Sequence, residues 1–223
     1  MAQLFRGRAE SDGGRALEKE LQALERQVRT ASPGYETQFL NRAASLCVRA
    51  GEPRRALGYL GRAIDAYLES GRFSAAEVAC NKLLEIAPNA VRARCTLAWL
   101  SIGKGYRAST EREISHYVKA ARRSANETLA AKQLRMMAEA ATSADLREVI
   151  ADHLLDLGDS EGADLVFGRV YAERNGLRRE RVADEGELWA RLLRAALMGP
   201  QELKAQSGSG DSEDGGADVL PSL

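Results

Sequence analysis

The residues of this sequence that could do chemistry are two histidines, three cysteines and several carboxylates. His116 and His153 lie far apart in the chain, and neither has a cysteine close to it in sequence. Zinc binding by Cys47, Cys80 and Cys95 would require three separate helices to converge on one point. Neither a Cys-x2-Cys nor a His-Glu-x2-His spacing occurs, and no glycine-rich loop follows a strand. We therefore expect no metal and no other cofactor.

One short segment contains side chains suited to acid–base catalysis. Asp152, His153 and Asp156 stand close together in sequence, within one predicted helix. No nucleophile accompanies them, so a solvated helix face explains them better than an active site does. The cysteines are likewise best explained as reduced thiols buried among apolar neighbours. The sequence thus predicts a protein that is not an enzyme.

A second candidate site consists of arginines on two neighbouring predicted helices. Its members are Arg42, Arg49, Arg54, Arg55 and Arg62. This basic face could bind an acidic partner or nucleic acid, or it could simply be solvated. Lysine plus arginine equal aspartate plus glutamate at 32 each, and aromatic residues make up only 5% of the chain, so stacking on bases has little support. Nucleic-acid binding is therefore the alternative hypothesis and a protein partner the main one.

The elements that carry these residues are helices throughout. Apolar residues recur with helical periodicity, and no segment alternates as a strand would. Glycine and proline mark the ends of the helical segments. The pattern predicts about ten helices, over 15–30, 36–50, 53–70, 73–87, 90–102, 109–123, 126–141, 144–157, 161–174 and 185–198. The fold class is therefore predicted to be all-α.

The predicted helical region spans 15–198. We expect residues 1–14 to be flexible and residues 199–223 to form a disordered tail rich in glycine, serine and acidic residues. No apolar run approaches the roughly 18 residues that a membrane span needs, and the first residues lack the apolar core of a secretory signal. These features lead us to expect a cytoplasmic protein that does not span a membrane.

Three turns share a spacing that indicates an internal repeat. Its form is Gly-x4-Ala-x3-apolar-x2-apolar, with a glycine after one helix and a small residue early in the next. The small residue would let two helices approach closely. The three copies are Gly51, Ala56, Leu60 and Ala63; Gly71, Ala76, Cys80 and Leu83; and Gly158, Ala163, Phe167 and Val170.

This pattern resembles the tetratricopeptide repeat, a helix–turn–helix unit of about 34 residues. The best match is the window 57–90, and the window 144–177 is the next best. Both depart from the family pattern, because Leu60 and Arg147 replace its tryptophan and Asn175 replaces the closing proline of the second window. In the first window the matching residues are Leu60, Ala63, Ile64, Tyr67, Gly71, Phe73, Ala76, Cys80, Leu83 and Pro88.

The repeats are unevenly spaced, which favours an irregular α-solenoid of antiparallel hairpins. Gly51 and Gly71 are too close for one repeat, so the helix between them fits two repeat phases. A phase slip is predicted near 103–109. A solenoid tolerates such irregularity because each helix packs on both neighbours. The alternative is a closed helical bundle in which the spacing arose by chance.

The resemblance implies a groove lined by the first helix of each repeat, with another protein as ligand. Its predicted partner-binding residues are Arg92, Cys95, Trp99 and Ile102, with Trp99 either facing the groove or lying in the core. Gly61 and Asp65 replace the residues that grip an acidic peptide terminus, which argues against that subfamily. The expected function is that of an adaptor, scaffold or assembly factor, and homo-oligomerisation is left open. Segments 15–30 and 185–198 are predicted to cap the stack.

Overall fold

Helices are the regular elements of the described part of the chain. The computed structural model describes the backbone of residues 2–104 and 107–176, and the side chains of 14–104 and 107–176. In these ranges the all-α prediction is confirmed. The helices are α1 (Ala2–Thr30), α2 (Glu36–Arg49), α3 (Pro53–Glu69), α4 (Phe73–Ile86), α5 (Val91–Lys104), α6 (Arg107–Arg123), α7 (Glu127–Ala140), α8 (Ala144–Asp156) and α9 (Ser160–Arg174).

Most helix ends fall within two residues of the predicted ones, and the N-terminus is the main difference. The helix predicted to begin at Arg15 begins at Ala2, so 2–14 are helical where we expected a flexible segment. Glycine in a helix costs only about 1 kcal/mol relative to alanine, so Gly13 and Gly14 do not have to end α1. The predicted helix 185–198 and the predicted tail 199–223 lie outside the described residues.

The helices form an irregular two-layer α-solenoid. Each helix packs against the next, and α5 with α7, α6 with α8, and α7 with α9 also pack. Ion pairs join α1 to α3 and α3 to α5, which places the odd-numbered helices in one layer and the even-numbered ones in the other. Within the described ranges, no extensive packing joins helices more than two apart in order. This arrangement is a stack and differs from a closed bundle.

Four of the turns between helices have the same hydrogen bonds. After α2, Gly51 N donates to Val48 O (3.1 Å) and Glu52 N donates to Cys47 O (2.8 Å). This pair of bonds satisfies the last carbonyls of a helix and reverses the chain. The other three turns are centred on Gly71, Gly158 and Ala125, and all four central residues have positive φ.

Ala125 reveals a fourth copy of the repeated spacing. It takes the position of the turn glycine with φ +51°, and Ala130, Leu134 and Met137 follow at the same intervals as in the other copies. All three are fully buried. The sequence pattern missed this copy because alanine stands where the other copies have glycine. The early alanine of the repeat is fully buried in every copy, at Ala56, Ala76, Ala130 and Ala163.

The core consists of three clusters along the stack, and α5 belongs to two of them. One cluster lies between α1, α2 and α3, the second runs from α2 to α5, and the largest runs from α5 to α9. Leu97 of α5 lies in the second cluster, whereas Trp99 lies in the largest.

The three cysteine thiols are buried in these clusters and unpaired. Cys47, Cys80 and Cys95 lie in separate clusters and do not converge on one point. Burial raises the pKa of Cys80 and of Cys95 to about 12, because a thiolate is poorly solvated there. Both thiols therefore remain protonated near neutral pH.

Candidate partner-binding groove

The structure places three of the four predicted partner-binding residues in the core. Trp99 is 0% exposed, and Cys95 and Ile102 are buried beside it in the largest core cluster. The reason is that α7 packs directly on α5 and covers the face predicted to line a groove. The indole Nε1 of Trp99 donates a hydrogen bond to Gln133 Oε1 at 3.0 Å. Of the two placements considered for Trp99, the core is the observed one.

Arg92, the remaining member of that set, lies at the boundary between α3 and α5. Its Nη2 contacts Asp65 Oδ1 at 2.5 Å, and about half of the Arg92 side chain is exposed. Asp65 stands at one of the two positions where a tetratricopeptide subfamily has residues that grip an acidic peptide terminus. Here it joins two neighbouring helices of one layer, which gives Arg92 a structural role.

Three of the five arginines of the predicted basic face are paired with glutamates of α1. Arg42 lies 3.6 Å from Glu20, Arg55 lies 3.0 Å from Glu18, and Arg62 lies 2.5 Å from Glu25. Arg49 and Arg54, the other two members, are exposed. Binding to a phosphate backbone needs several uncompensated charges, and this face keeps few of them. The α1 glutamates therefore neutralise much of the predicted basic face.

The pairs of Arg55 and Arg62 form a regular ladder between two helices. Glu18 and Glu25 are seven residues apart on α1, and their arginine partners are seven apart on α3. Seven residues are close to two helical turns, so both pairs lie on facing stripes of helices that run parallel. This matched spacing is a signal in the sequence that could have located the contact between α1 and α3.

The Arg62 pair is the tighter of these two contacts. Its guanidinium donates to both carboxylate oxygens of Glu25, at 2.5 Å and 3.2 Å. The Arg62 hydrogen bond lowers the pKa of Glu25, and the Arg62 charge acts in the same direction. The guanidinium carbon also lies 5.7 Å from the centre of the Tyr59 ring. These contacts fix Tyr59 between the two helices.

A recess of about 310 Å³ opens beside this ladder, between α1 and α3. The half-buried ring of Tyr59 lies at its base, and Leu21 is buried beneath it. Burial raises the pKa of the Tyr59 hydroxyl, and the Glu25 charge adds to the effect. We call this recess the α1–α3 groove. Its lining residues are Glu18, Leu21, Gln22, Glu25, Arg26, Arg29, Arg55 and Tyr59.

Two arginines give the α1–α3 groove a positive rim. Arg26 and Arg29 are exposed, and among the described side chains neither has an ion-pair partner within 4.0 Å. Glu18 and Glu25 of the same groove are already paired with Arg55 and Arg62. An acidic side chain could bind at the rim while an adjacent apolar side chain contacts the base.

The described residues do not assemble a catalytic centre from the histidines. His153 Nδ1 lies 3.0 Å from Asp156 Oδ2, one helical turn away on α8. His116, on α6, lies 3.4 Å from an Arg94 nitrogen and 3.8 Å from Glu113. No group of three or more metal-ligating side chains occurs among the side chains described. The two histidines therefore lie in separate local contacts.

The fold and groove define an all-α solenoid with a small polar groove. Comparison with protein-family models, with curated proteins and with solved structures finds no match to this chain. Within the described ranges, no helix has the length and apolar character needed to cross a membrane.

Proposed function

We propose that this chain is a protein-interaction module that binds a segment of another protein in the α1–α3 groove. The observation that carries the proposal is the pair of exposed arginines, Arg26 and Arg29, beside the half-buried ring of Tyr59. The resemblance to tetratricopeptide repeats supports the same function, because grooves between stacked helices are the binding surfaces of such proteins. An adaptor or scaffold role in the cytoplasm agrees with three buried, unpaired thiols.

The chemistry of the groove favours one kind of ligand. Arg26 and Arg29 can each donate charge-assisted hydrogen bonds to a carboxylate. The half-buried Tyr59 ring offers an aromatic surface for a neighbouring side chain. The preferred ligand is therefore a peptide segment with an acidic residue next to an apolar or aromatic one. A recess of about 310 Å³ accommodates one or two side chains and is small for a larger cofactor.

Selection from a random peptide library on the full chain tests this proposal. We expect enriched peptides to contain an acidic residue beside an apolar one, and to lose at least ten-fold in affinity for the variant Arg26→Glu/Arg29→Glu. The control is Arg169→Glu, because Arg169 is exposed on α9, far along the stack. Peptides that bind the double variant as tightly as the unaltered chain would exclude the α1–α3 groove as their site.

The nucleic-acid alternative can be separated in the same assay. Single-stranded and duplex oligonucleotides replace the peptides, and binding is measured at low and high salt. A nucleic-acid site would show affinity that falls steeply with salt and depends on Arg49 and Arg54. That result would favour the alternative. Peptide binding that depends on Arg26 and Arg29, with weak and unselective oligonucleotide binding, supports the proposal.

A further inference from the structure

The repeated turns give a common register for comparing the helices that follow them. Counting from the turn residue, the ninth position is Leu60 in α3, Cys80 in α4, Leu134 in α7 and Phe167 in α9. The thirteenth position is Ile64 in α3, Leu84 in α4, Ala138 in α7 and Tyr171 in α9. These two positions are four residues apart, so they lie on one stripe of each helix.

This stripe is covered in three of the helices and uncovered in α9. Ile64, Leu84 and Ala138 are 5%, 7% and 1% exposed, whereas Tyr171 is 64% exposed. At the ninth position, the three earlier residues are buried and Phe167 is only half-buried.

The difference follows from what comes next in the stack. The helix after each of α3, α4 and α7 packs against it and shares its core cluster. The helix α9 is the last one described, so the described part of the chain contains no such helix after it. We call the uncovered residues, Phe167 and Tyr171, the α9 stripe.

The backbone after α9 begins the same reversal as the earlier turns. Gly176 has φ +65°, and its N–H donates to Glu173 O at 3.1 Å, like the Gly51 bond to Val48. Eight residues, 177–184, then separate it from the apolar-periodic segment 185–198. Eight extended residues reach roughly 26 Å, and α9, with its 15 residues, is about 22 Å long. The segment can therefore reach any part of α9.

We propose that the α9 stripe is the docking site of segment 185–198 of the same chain, which packs antiparallel on α9 as a tenth helix. In that orientation Leu188 meets Tyr171 and Leu192 meets Phe167. Apolar residues of the segment thus meet the uncovered apolar and aromatic residues of α9. This site lies at the other end of the stack from the α1–α3 groove and stands independently of the proposed function.

Hydrogen exchange of the full chain, followed by mass spectrometry, tests the docking. We expect peptides from 185–198 to be protected, and to exchange at least ten-fold faster in the variant Tyr171→Asp. Tyr35→Asp is the matched control, because Tyr35 is 68% exposed and lies between α1 and α2. It should leave the protection of 185–198 unchanged. Unchanged protection of α2–α8 in both variants shows that the fold is intact.

A second variant, Leu192→Asp, tests the other side of the contact. It leaves α9 unaltered and should give the same loss of protection in 185–198. Segment 185–198 exchanging at the rate of an unfolded chain in the unaltered protein would overturn the proposal, as would protection that survives both substitutions. Protection that rises with protein concentration would show that the segment docks on the α9 stripe of a second copy. That result would also overturn the proposal.

Discussion

Arg135 and Asp159 form a two-point ion pair that joins α7 to the start of α9. Nε of Arg135 donates to Asp159 Oδ2 at 2.6 Å, and its Nη2 donates to Oδ1. Asp159 is also the N-cap of α9, since its Oδ1 accepts from Gly162 N at 3.1 Å. One carboxylate thus stabilises the first turn of a helix and fixes it to the neighbouring helix of the same layer.

Gly162→Ala should disrupt this contact. An added Cβ would lie 2.5 Å from Arg135 Nε and close to Asp159 Oδ2, so the guanidinium or the cap has to move. We expect a loss of about 1–2 kcal/mol in the free energy of unfolding, measured by urea denaturation. Gly58→Ala is the control, because no heavy atom lies within 4 Å of a Cβ there, and it should stabilise α3 by about 0.5–1 kcal/mol. Equal effects of the two substitutions would contradict this account.

The same ion pair predicts a dependence of stability on pH. The Arg135 hydrogen bonds hold the pKa of Asp159 below its usual value, and the Gly162 N–H bond acts in the same direction. The folded state therefore binds the proton of Asp159 less readily than the unfolded state. The stabilisation is complete above the unfolded pKa of about 3.9 and is lost as the pH falls through the lower folded pKa.

Asp159→Asn isolates this contribution from the other carboxylates. The variant should be less stable at pH 7 and should lose less stability on acidification from pH ~5 to pH ~2 than the unaltered chain does. Unfolding midpoints measured across this range give the comparison. Parallel curves for the two proteins would contradict the prediction, because they would show that the pKa of Asp159 is the same in the folded and unfolded states.

Ala125→Gly should stabilise the turn between α6 and α7. Ala125 has φ +51°, a conformation that costs an L-residue roughly 1–2 kcal/mol. Glycine removes most of that strain, but it also raises the conformational entropy of the unfolded chain. We therefore expect the free energy of unfolding to rise by about 1 kcal/mol. Gly158→Ala makes the reverse change at φ +79° and should cost a similar amount. Thermal or urea unfolding of both variants checks the opposite signs.

Trp99 and Gln133 should be energetically coupled. Both side chains are buried, so Gln133→Met leaves the indole N–H without its acceptor, at a cost of about 1–3 kcal/mol. Replacing Trp99 by Phe removes that N–H. The double variant should therefore be less destabilised than the sum of the two single variants, by at least about 0.5 kcal/mol. Strict additivity would indicate that the hydrogen bond contributes little.

Local features of the fold were predictable from sequence because they depend on local chemistry. The helical periodicity and turn glycines located most helix ends, and the alanine of the repeat marked a fully buried position in each copy. The turn at Ala125 was not predictable in this way, because alanine rarely adopts positive φ and gives no turn signal. That turn depends on the packing of α6 and α7 around it.

The candidate site depended on contacts between distant parts of the chain. The sequence placed Trp99 on a helix but did not show which neighbour would cover it, and α7 does so through Gln133. The α5 segment is apolar around most of its circumference, which is typical of a helix buried on several sides. The α1–α3 groove arises from the alignment of Glu18 with Arg55, 37 residues apart.

The position of α5 between two core clusters determines how the two halves of the chain unfold. Leu97 and Leu100 belong to the cluster on the N-terminal side, and Trp99 and Ile102 belong to the C-terminal one. Most contacts join helices that are close in sequence, a pattern typical of fast folding. Among the described helices, α5 contributes to both clusters, so we expect cooperative unfolding of the two halves to depend on its packing. A chain weakened in α5 would melt in two steps, with each half reporting its own transition.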